Sequence, residues 1–247
     1  MDVIDDRGHA FILYVASMQW RSIKLSYQGS IEFIPDHGSV TRGEFLKSSS
    51  YPTMESGELS WISNGHTFNW KSHDQPLCET LLANENGSVV WNCVQPKALC
   101  EIKGQNFKSK GYGYTEKLDL EIAPWNLPIQ ELLWGRYLSR EHAIIWICWR
   151  GPESRTIVYH NGEKIQAPRF LADRISWNEY TLSLPHDVMR NDTIGQSVFG
   201  RFKSIMKLFP KKIMGLEEKK MCGAGTLMNN NAVIDHGSVI HEIVKWK

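Results

Sequence analysis

Three Asn-Gly dipeptides, Asn64-Gly65, Asn86-Gly87 and Asn161-Gly162, each stand between two runs in which apolar and polar residues alternate. Asn-Gly tolerates the positive φ angles of a two-residue hairpin turn, and alternation at period two puts one side of each run toward a core. The stretch GELSWISNGHTFNWKS places Leu59 and Trp61 before the turn and Phe68 and Trp70 after it. LLANENGSVVWNCV and RTIVYHNGEKIQAP repeat the arrangement. RSIKLSYQGSIEFI alternates Ile23, Leu25 and Tyr27 against Ser22, Lys24 and Ser26, and is expected to turn near Gln28-Gly29. DRISWNEYTLSLP and SVIHEIVKW read as further strands. Together these signals predict an all-β chain of about fourteen short antiparallel strands, in sandwich or barrel form.

One segment breaks the pattern. In QSVFGRFKSIMKLFP, residues Val198, Phe202, Ile205, Met206 and Phe209 recur at helical spacing, and Pro210 ends the run. A single helix is expected over 197–209. Residues 201–220 hold seven basic and two acidic side chains. That charge fits either a helix capping a barrel mouth or weak contact of 197–220 with an anionic membrane surface.

The remaining features exclude more than they assign. A net charge of +1 gives no basis for nucleic acid as a partner. The longest apolar run, AFILYVA at 10–16, is too short to span a bilayer, and MDVIDDRGH before it lacks the basic start of a secretory signal. The five cysteines, Cys78, Cys93, Cys100, Cys148 and Cys222, form no CxxC pair, which predicts reduced, mostly buried thiols in a cytoplasmic protein. Nine scattered histidines without HxH or HExxH spacing support no metal centre. Walker, Rossmann and GxSxG patterns are missing, so no cofactor is expected. Nothing in the pattern sets the oligomeric state.

GYGYTEKLDLEI, residues 111–122, raises the chemical question. As a strand it places Tyr112, Tyr114, Leu118, Leu120 and Ile122 on one face with Glu116 among them. The opposite face, Gly111, Gly113, Thr115, Lys117, Asp119 and Glu121, is polar. A carboxylate on a buried face needs a cation, a proton or a cavity. In LLWGRYL, residues Leu132, Trp134, Arg136 and Leu138 share a face, and Arg136 reaches Glu116 if the two strands are neighbours. The pair is then either a structural ion bridge or a site. In the site reading Glu116 is acid or base, and Arg136 or Tyr114 steadies a developing oxyanion. Ten tryptophans, nine phenylalanines and eight tyrosines fit a ring-filled core or an aromatic-lined cavity equally well. Trp91 and Cys93 share one face and Trp146 shares another with His142 and Cys148; both sets also fit a core, as does His241.

The run GQNFKSKGYGYTEKLDLEIAPWNLPIQELLWGRYLSREHAIIWICWRG, 104–150, resembles the carotenoid hydratase (hydroxyneurosporene synthase) superfamily of lipocalin-like proteins. There a Gly-Tyr strand bearing a carboxylate is followed by a Trp-Gly-Arg strand. DDRGHAFILYVAS and HGSVIHEIVKW also look like that superfamily's early and final strands. The resemblance implies two lipocalin-like barrels packed side by side, here 1–110 and 111–247. By position it maps the carboxylate to Glu116, the tyrosine to Tyr114, and Trp-Gly-Arg to Trp134, Gly135 and Arg136. Where the hydratases carry a His-Asp-His-Asn-Trp-Gly run, this chain has TEKLDL, so a histidine proton shuttle is absent at that place. The implied activity is that of a cofactor-independent cyclase, isomerase or hydratase of a terpenoid or polyketide-like molecule. The alternative is a carrier of a lipophilic ligand without catalysis. Glu116, Tyr114 and Arg136 are the catalytic candidates, and Tyr112, Trp134, Trp91 and Trp146 the ligand-binding ones.

Overall fold

Asn64 and Gly65 take φ of +50° and +76°, and Asn161 and Gly162 take +49° and +82°. Both residues of each turn are thus left-handed, as the tight hairpin requires. A computed structural model describes residues 1–20, 23–46, 51–72, 74–171, 173–197 and 210–246. The first ten strands are β1 Asp2–Asp5, β2 Ala10–Trp20, β3 Ile23–Ile34, β4 Gly38–Leu46, β5 Thr53–Glu55, β6 Glu58–Ser63, β7 His66–Ser72, β8 Leu77–Asn84, β9 Gly87–Lys103 and β10 Lys108–Leu120. A 3-10 turn at Pro124–Asn126 precedes ten more. These are β11 Glu131–Leu138, β12 Ala143–Arg150, β13 Arg155–His160, β14 Glu163–Lys164, β15 Arg169–Phe170, β16 Arg174–Trp177, β17 Tyr180–Ser183, β18 Val188–Thr193, β19 Glu217–Asn229 and β20 Ala232–Lys245. Two short helices, α1 Ile194–Ser197 and α2 Lys211–Met214, lie between β18 and β19. The helix expected over 197–209 falls, from 198 onward, outside the described residues. No helix among the described residues is long and apolar enough to cross a membrane.

The strands form two ten-stranded antiparallel sheets of identical connectivity. The first runs β4-β3-β2-β1-β10-β9-β7-β6-β5 with β8 on β9; the second runs β14-β13-β12-β11-β20-β19-β17-β16-β15 with β18 on β19. Adding ten to each label of the first sheet gives the second. The fold is thus all-β and double lipocalin-like, a duplication at the level of topology. The sequence shows no repeat period to announce it. Two compact units are defined by internal contacts. Unit 1 is Met1–Pro76 with Cys93–Glu116, and unit 2 is Leu77–Asn92 with Lys117–Lys247.

Each unit has its own core. In unit 1, Val3, Phe11, Leu13, Leu59, Trp61, Phe68, Trp70, Ala98, Cys100 and Ile102 pack together. The residues flanking the Asn64-Gly65 turn therefore point inward, as their alternation predicts. In unit 2, the core is Tyr137, Ile144, Trp146, Val158, Ile175, Trp177, Leu182, Leu184, Leu227 and Val239. Fully burying a side chain of this size contributes about 1.5–3 kcal/mol. All five cysteines are free, and only Cys78 is exposed.

Two local expectations are corrected, and a third point that alternation left open is decided. Gln28-Gly29 is no turn: β3 runs straight through, with Gly29 opposite Gly43 of β4. The Tyr27 ring lies over both glycines, its hydroxyl 2.6 and 2.3 Å from where their Cβ atoms would stand. A ring covering a cross-strand glycine pair supplies the side-chain packing the glycines lack. DRISWNEYTLSLP is a hairpin and not one strand. Asn178 takes φ of +45°, and the Trp177 and Tyr180 rings stack 5.5 Å apart across its turn. Third, the Gly113–Thr115 face of β10 is the core face. Gly113 stands opposite Val3, with the Trp70 indole against it. Thr115 donates to Gln95, whose amide donates to the Trp70 and Gly57 carbonyls. A polar side chain is tolerated there because its hydrogen bonds are made.

Trp70 Nε1 donates to the Asp2 carbonyl at 3.0 Å across Gly113. A Cβ at Gly113 would stand 2.5 Å from that carbonyl and 2.6 Å from Nε1. Gly113→Ala is expected to lower stability by about 1–3 kcal/mol through overpacking, read as a lower urea midpoint with an unchanged slope.

Candidate functional site

In unit 1, Tyr112, Tyr114 and Glu116 alternate along the face of β10 that turns away from the Gly113 side. Ile4 and Asp2 of β1 stand opposite Tyr112 and Tyr114. Tyr114 is buried and Tyr112 and Glu116 are half-buried. The Tyr114 hydroxyl donates to Glu116 Oε2 at 2.6 Å, the length of a phenol bonded to a charged acceptor. Cys93 of β9 is fully buried beside this pair. Burial pushes its thiol well above the usual range, the Glu116 charge adds to the rise, and the Tyr114 hydroxyl opposes it. The sulfur therefore stays protonated at neutral pH and is no nucleophile. Beyond Glu116 the expected oily face opens: Leu118 and Leu120 are 39% and 41% exposed. The carboxylate sits where a buried face gives way to an exposed one.

In unit 2, Trp134 and Arg136 lie on one face of β11. Trp134 stands opposite Ile147 of β12 and Glu242 of β20; Arg136 stands opposite Ile145 and Ile240. The Trp91 ring, from the first residues of β9, meets Trp134 edge-on at 6.1 Å and Tyr159 at 6.2 Å. Tyr159 donates to Glu79, which also accepts from Lys164. Burial works to raise the Glu79 carboxyl, but these two bonds hold it below its ordinary range. Arg136 is buried and donates through Nη1 to the carbonyl and the hydroxyl of Ser238, at 3.1 and 3.2 Å. Trp146 is on the other face of the sheet, in the unit 2 core, with its indole over Gly135.

The structure thus joins Tyr114 with Glu116, and Trp91 with Trp134. The premise that Glu116 and Arg136 lie on adjacent strands is corrected: β10 pairs with β1 and β9, whereas β11 pairs with β12 and β20. Alternation within two strands cannot show that they belong to different sheets. His241 is a satisfied core histidine, its Nε2 bonded to the Pro185 carbonyl at 2.9 Å. Burial, first, holds it below its usual range.

Two polar groupings escaped the sequence. His142 Nδ1 and His160 Nε2 are 2.9 Å apart, with the Trp177 and Tyr180 rings edge-on to His160. Only the β12–β13 register brings these histidines together. On the far side of the second sheet, buried Lys220 is paired with Glu218 at 3.2 Å and with Glu242. The charged run EEKK gave no sign of burial, because one partner of Lys220, Glu242, comes from the next strand. Among the described residues, no group of three or more His, Cys, Asp or Glu side chains is placed to hold a metal ion.

Solved structures share this architecture. An AttH-like protein of Nitrosomonas europaea superposes over 100% of this chain and 90% of its own, with a TM-score of 0.60 and 8% identity. Kievitone hydratase of Nectria haematococca superposes over 98% and 86%, at 0.57 and 9%. CghA, solved alone and with Sch210972, superposes over 100% and 87%, at 0.57 and 9%. The fold is therefore the double lipocalin-like fold that the 104–150 resemblance implies. No protein-family profile and no curated protein matches the sequence itself.

The histidine pair makes a pH prediction. Burial, then the His142 charge, pushes His160 down to about 4 from an ordinary value of 6.5. Between those values the unfolded chain binds more protons than the folded one, so stability falls as pH drops through that window. The loss is at most about 3 kcal/mol. His160→Gln should flatten this part of the profile, measured by urea unfolding at pH 7 and pH 4.5.

Proposed function

We propose that this protein holds a hydrophobic small molecule and acts on it without a cofactor, as a cyclase, isomerase or hydratase of a terpenoid or polyketide-like substrate. The observation that carries this reading is the Tyr114–Glu116 pair: a half-buried carboxylate with a phenol donating to it at 2.6 Å. Such a carboxylate can take a proton from carbon or oxygen and return it elsewhere, while the phenol holds its orientation and shares the charge. Tyr112, on the same face, gives the substrate an apolar neighbour beside the reactive group. Unit 2 has an aromatic cluster of its own, in which the Trp91 ring meets Trp134 and Tyr159. The likeness in fold to kievitone hydratase, and to CghA, which was solved with Sch210972, supports a small organic molecule as the ligand.

The protonated Cys93 limits the chemistry in a useful way. With no thiolate beside it, Glu116 is the reactive group of the cluster, and the step it serves is proton transfer and not covalent attack by sulfur. Hydration, isomerisation and proton-initiated cyclisation all fit that requirement.

The test is a panel of terpenoids and polyketides incubated with the protein and followed by mass spectrometry for bound species and products. For a substrate found in this way, Glu116→Gln should lower turnover by about 100- to 10,000-fold, as loss of general acid–base help does. Binding should be retained. Unchanged turnover would remove Glu116 from the mechanism, and a ligand that binds but is never converted would make the protein a carrier.

A further inference from the structure

The two sheets share one connectivity but not one kind of margin. Of the four strands that end them, β5 has three residues and β14 and β15 have two each. β4 has nine, and none of the nine is buried. A marginal strand offers a row of unpaired N–H and C=O groups, and proteins usually keep such strands short. Among the described residues β4 pairs only with β3, so among them its outer edge is unpaired.

The residues of β4 are arranged symmetrically about Gly43. Arg42 and Glu44 flank it, Thr41 and Phe45 come next, and Val40 and Leu46 lie beyond. Val40 is 50% exposed, and Arg42 and Glu44 are exposed as well. Arg42 donates through Nη1 to Glu32 at 3.3 Å, which leaves other guanidinium N–H groups to a second acceptor. No side chain stands at the centre, so two such strands can approach closely there.

A second copy of β4 laid antiparallel on this edge is related to the first by a two-fold axis. Opposed residues then share a face, so the axis passes between one residue and its own copy. The registers that keep most of the strand paired place the axis at Thr41, Arg42, Gly43 or Glu44. An axis at Arg42 or at Glu44 sets like charges against each other. At Thr41 it sets Arg42 against Val40 and Glu44 against Gly38. At Gly43 it sets Arg42 opposite Glu44 and Val40 opposite Leu46, each twice. Opposite charges facing across a strand pair stabilise it, and like charges destabilise it.

We infer that β4 is a homodimer interface, in which two copies pair β4 to β4 about a two-fold axis at Gly43 and continue one sheet into the other. Main-chain hydrogen bonds supply the attraction, and the two Arg42–Glu44 pairs set the register. The occupant is a second copy because the strand complements itself: its own charge pattern, reversed, is the pattern that fits it. The contact is also closed. Each copy uses its β4 edge, and the opposite margin, β5, is too short to carry the sheet further.

Sedimentation velocity of the full chain from micromolar to millimolar concentration tests this, with hydrogen exchange measured at both ends of the range. A monomer–dimer equilibrium is expected, with the amides of 38–46 better protected at the high end. Arg42→Glu and Glu44→Arg should each raise the dimer dissociation constant at least about tenfold, because each turns two attractive pairs into repulsive ones. Mixed in equal amounts, the two variants should form a heterodimer as stable as the wild-type dimer, since opposite charges face each other again. That mixture also shows that neither variant has lost its fold. The double variant Arg42→Glu/Glu44→Arg should dimerise like the wild type. A chain that stays monomeric at millimolar concentration would overturn the inference. So would a dimer indifferent to the single reversals, or one that the mixture and the double variant fail to restore. Protection of 38–46 that is equal at both concentrations would mean that the edge is covered within one chain, and would overturn it as well.

Discussion

Large rings packed against glycine backbone are the contact on which both units depend. Trp70 lies on Gly113, Tyr27 on the opposed pair Gly29 and Gly43, Trp146 on Gly135, and Tyr137 on the opposed pair Gly225 and Gly237. A Cβ at Gly113, Gly29, Gly43, Gly135 or Gly237 would collide with the ring and one at Gly225 would crowd it, so ring and glycine are chosen together. A sheet that must curve strongly needs places where backbone can approach a bulky side chain, and glycine provides them at the cost of chain entropy. The ring recovers the loss by covering the bare backbone. Trp70 goes further and donates to the Asp2 carbonyl, tying β7 to β1 across β10.

With the cores filled in this way, most of the charged groups described above lie on the opposite faces of the same sheets, while His142 and His160 stay on the core side beside Trp177. On the first sheet that face carries Tyr114 and Glu116; on the second it carries Trp134, Arg136, Lys220 and Arg190. Each sheet therefore has one side for stability and one on which charge can be arranged. The arrangement differs between the halves although their connectivity is the same. The first places one carboxylate beside a phenol, while the second lays a row of cations and carboxylates between an indole and an incompletely bonded guanidinium. Duplication of the fold came without duplication of the site.

The hairpins were legible because their signal is local. Asn64-Gly65 and Asn161-Gly162 needed only their own φ angles, and Leu59, Trp61, Phe68 and Trp70 only the alternation beside them. Gln28-Gly29 failed for a matching reason: a glycine after a polar residue also marks the place where a ring from the same strand lies on a neighbour's backbone. Alternation in β10 separated a polar from an apolar face and left burial open; both faces are buried around Gly113–Thr115. Gly113 and Thr115 are inside because Trp70 needs a surface without a side chain and because Gln95 satisfies the hydroxyl.

The sequence by itself determined the fold class, the Asn64-Gly65 and Asn161-Gly162 turns, the partition of most large apolar residues, and the oddity of a carboxylate at Glu116. Those follow from φ preferences and period-two alternation, which act over a few residues. Only the tertiary structure decided which strands are neighbours, and with them which charges meet. It assigned β10 and β11 to different sheets, brought His142 to His160, set Lys220 between two carboxylates, and left Arg190 Nη2 without a partner among the described residues. Register across strands distant in sequence fixes those pairings, and no short-range pattern encodes it.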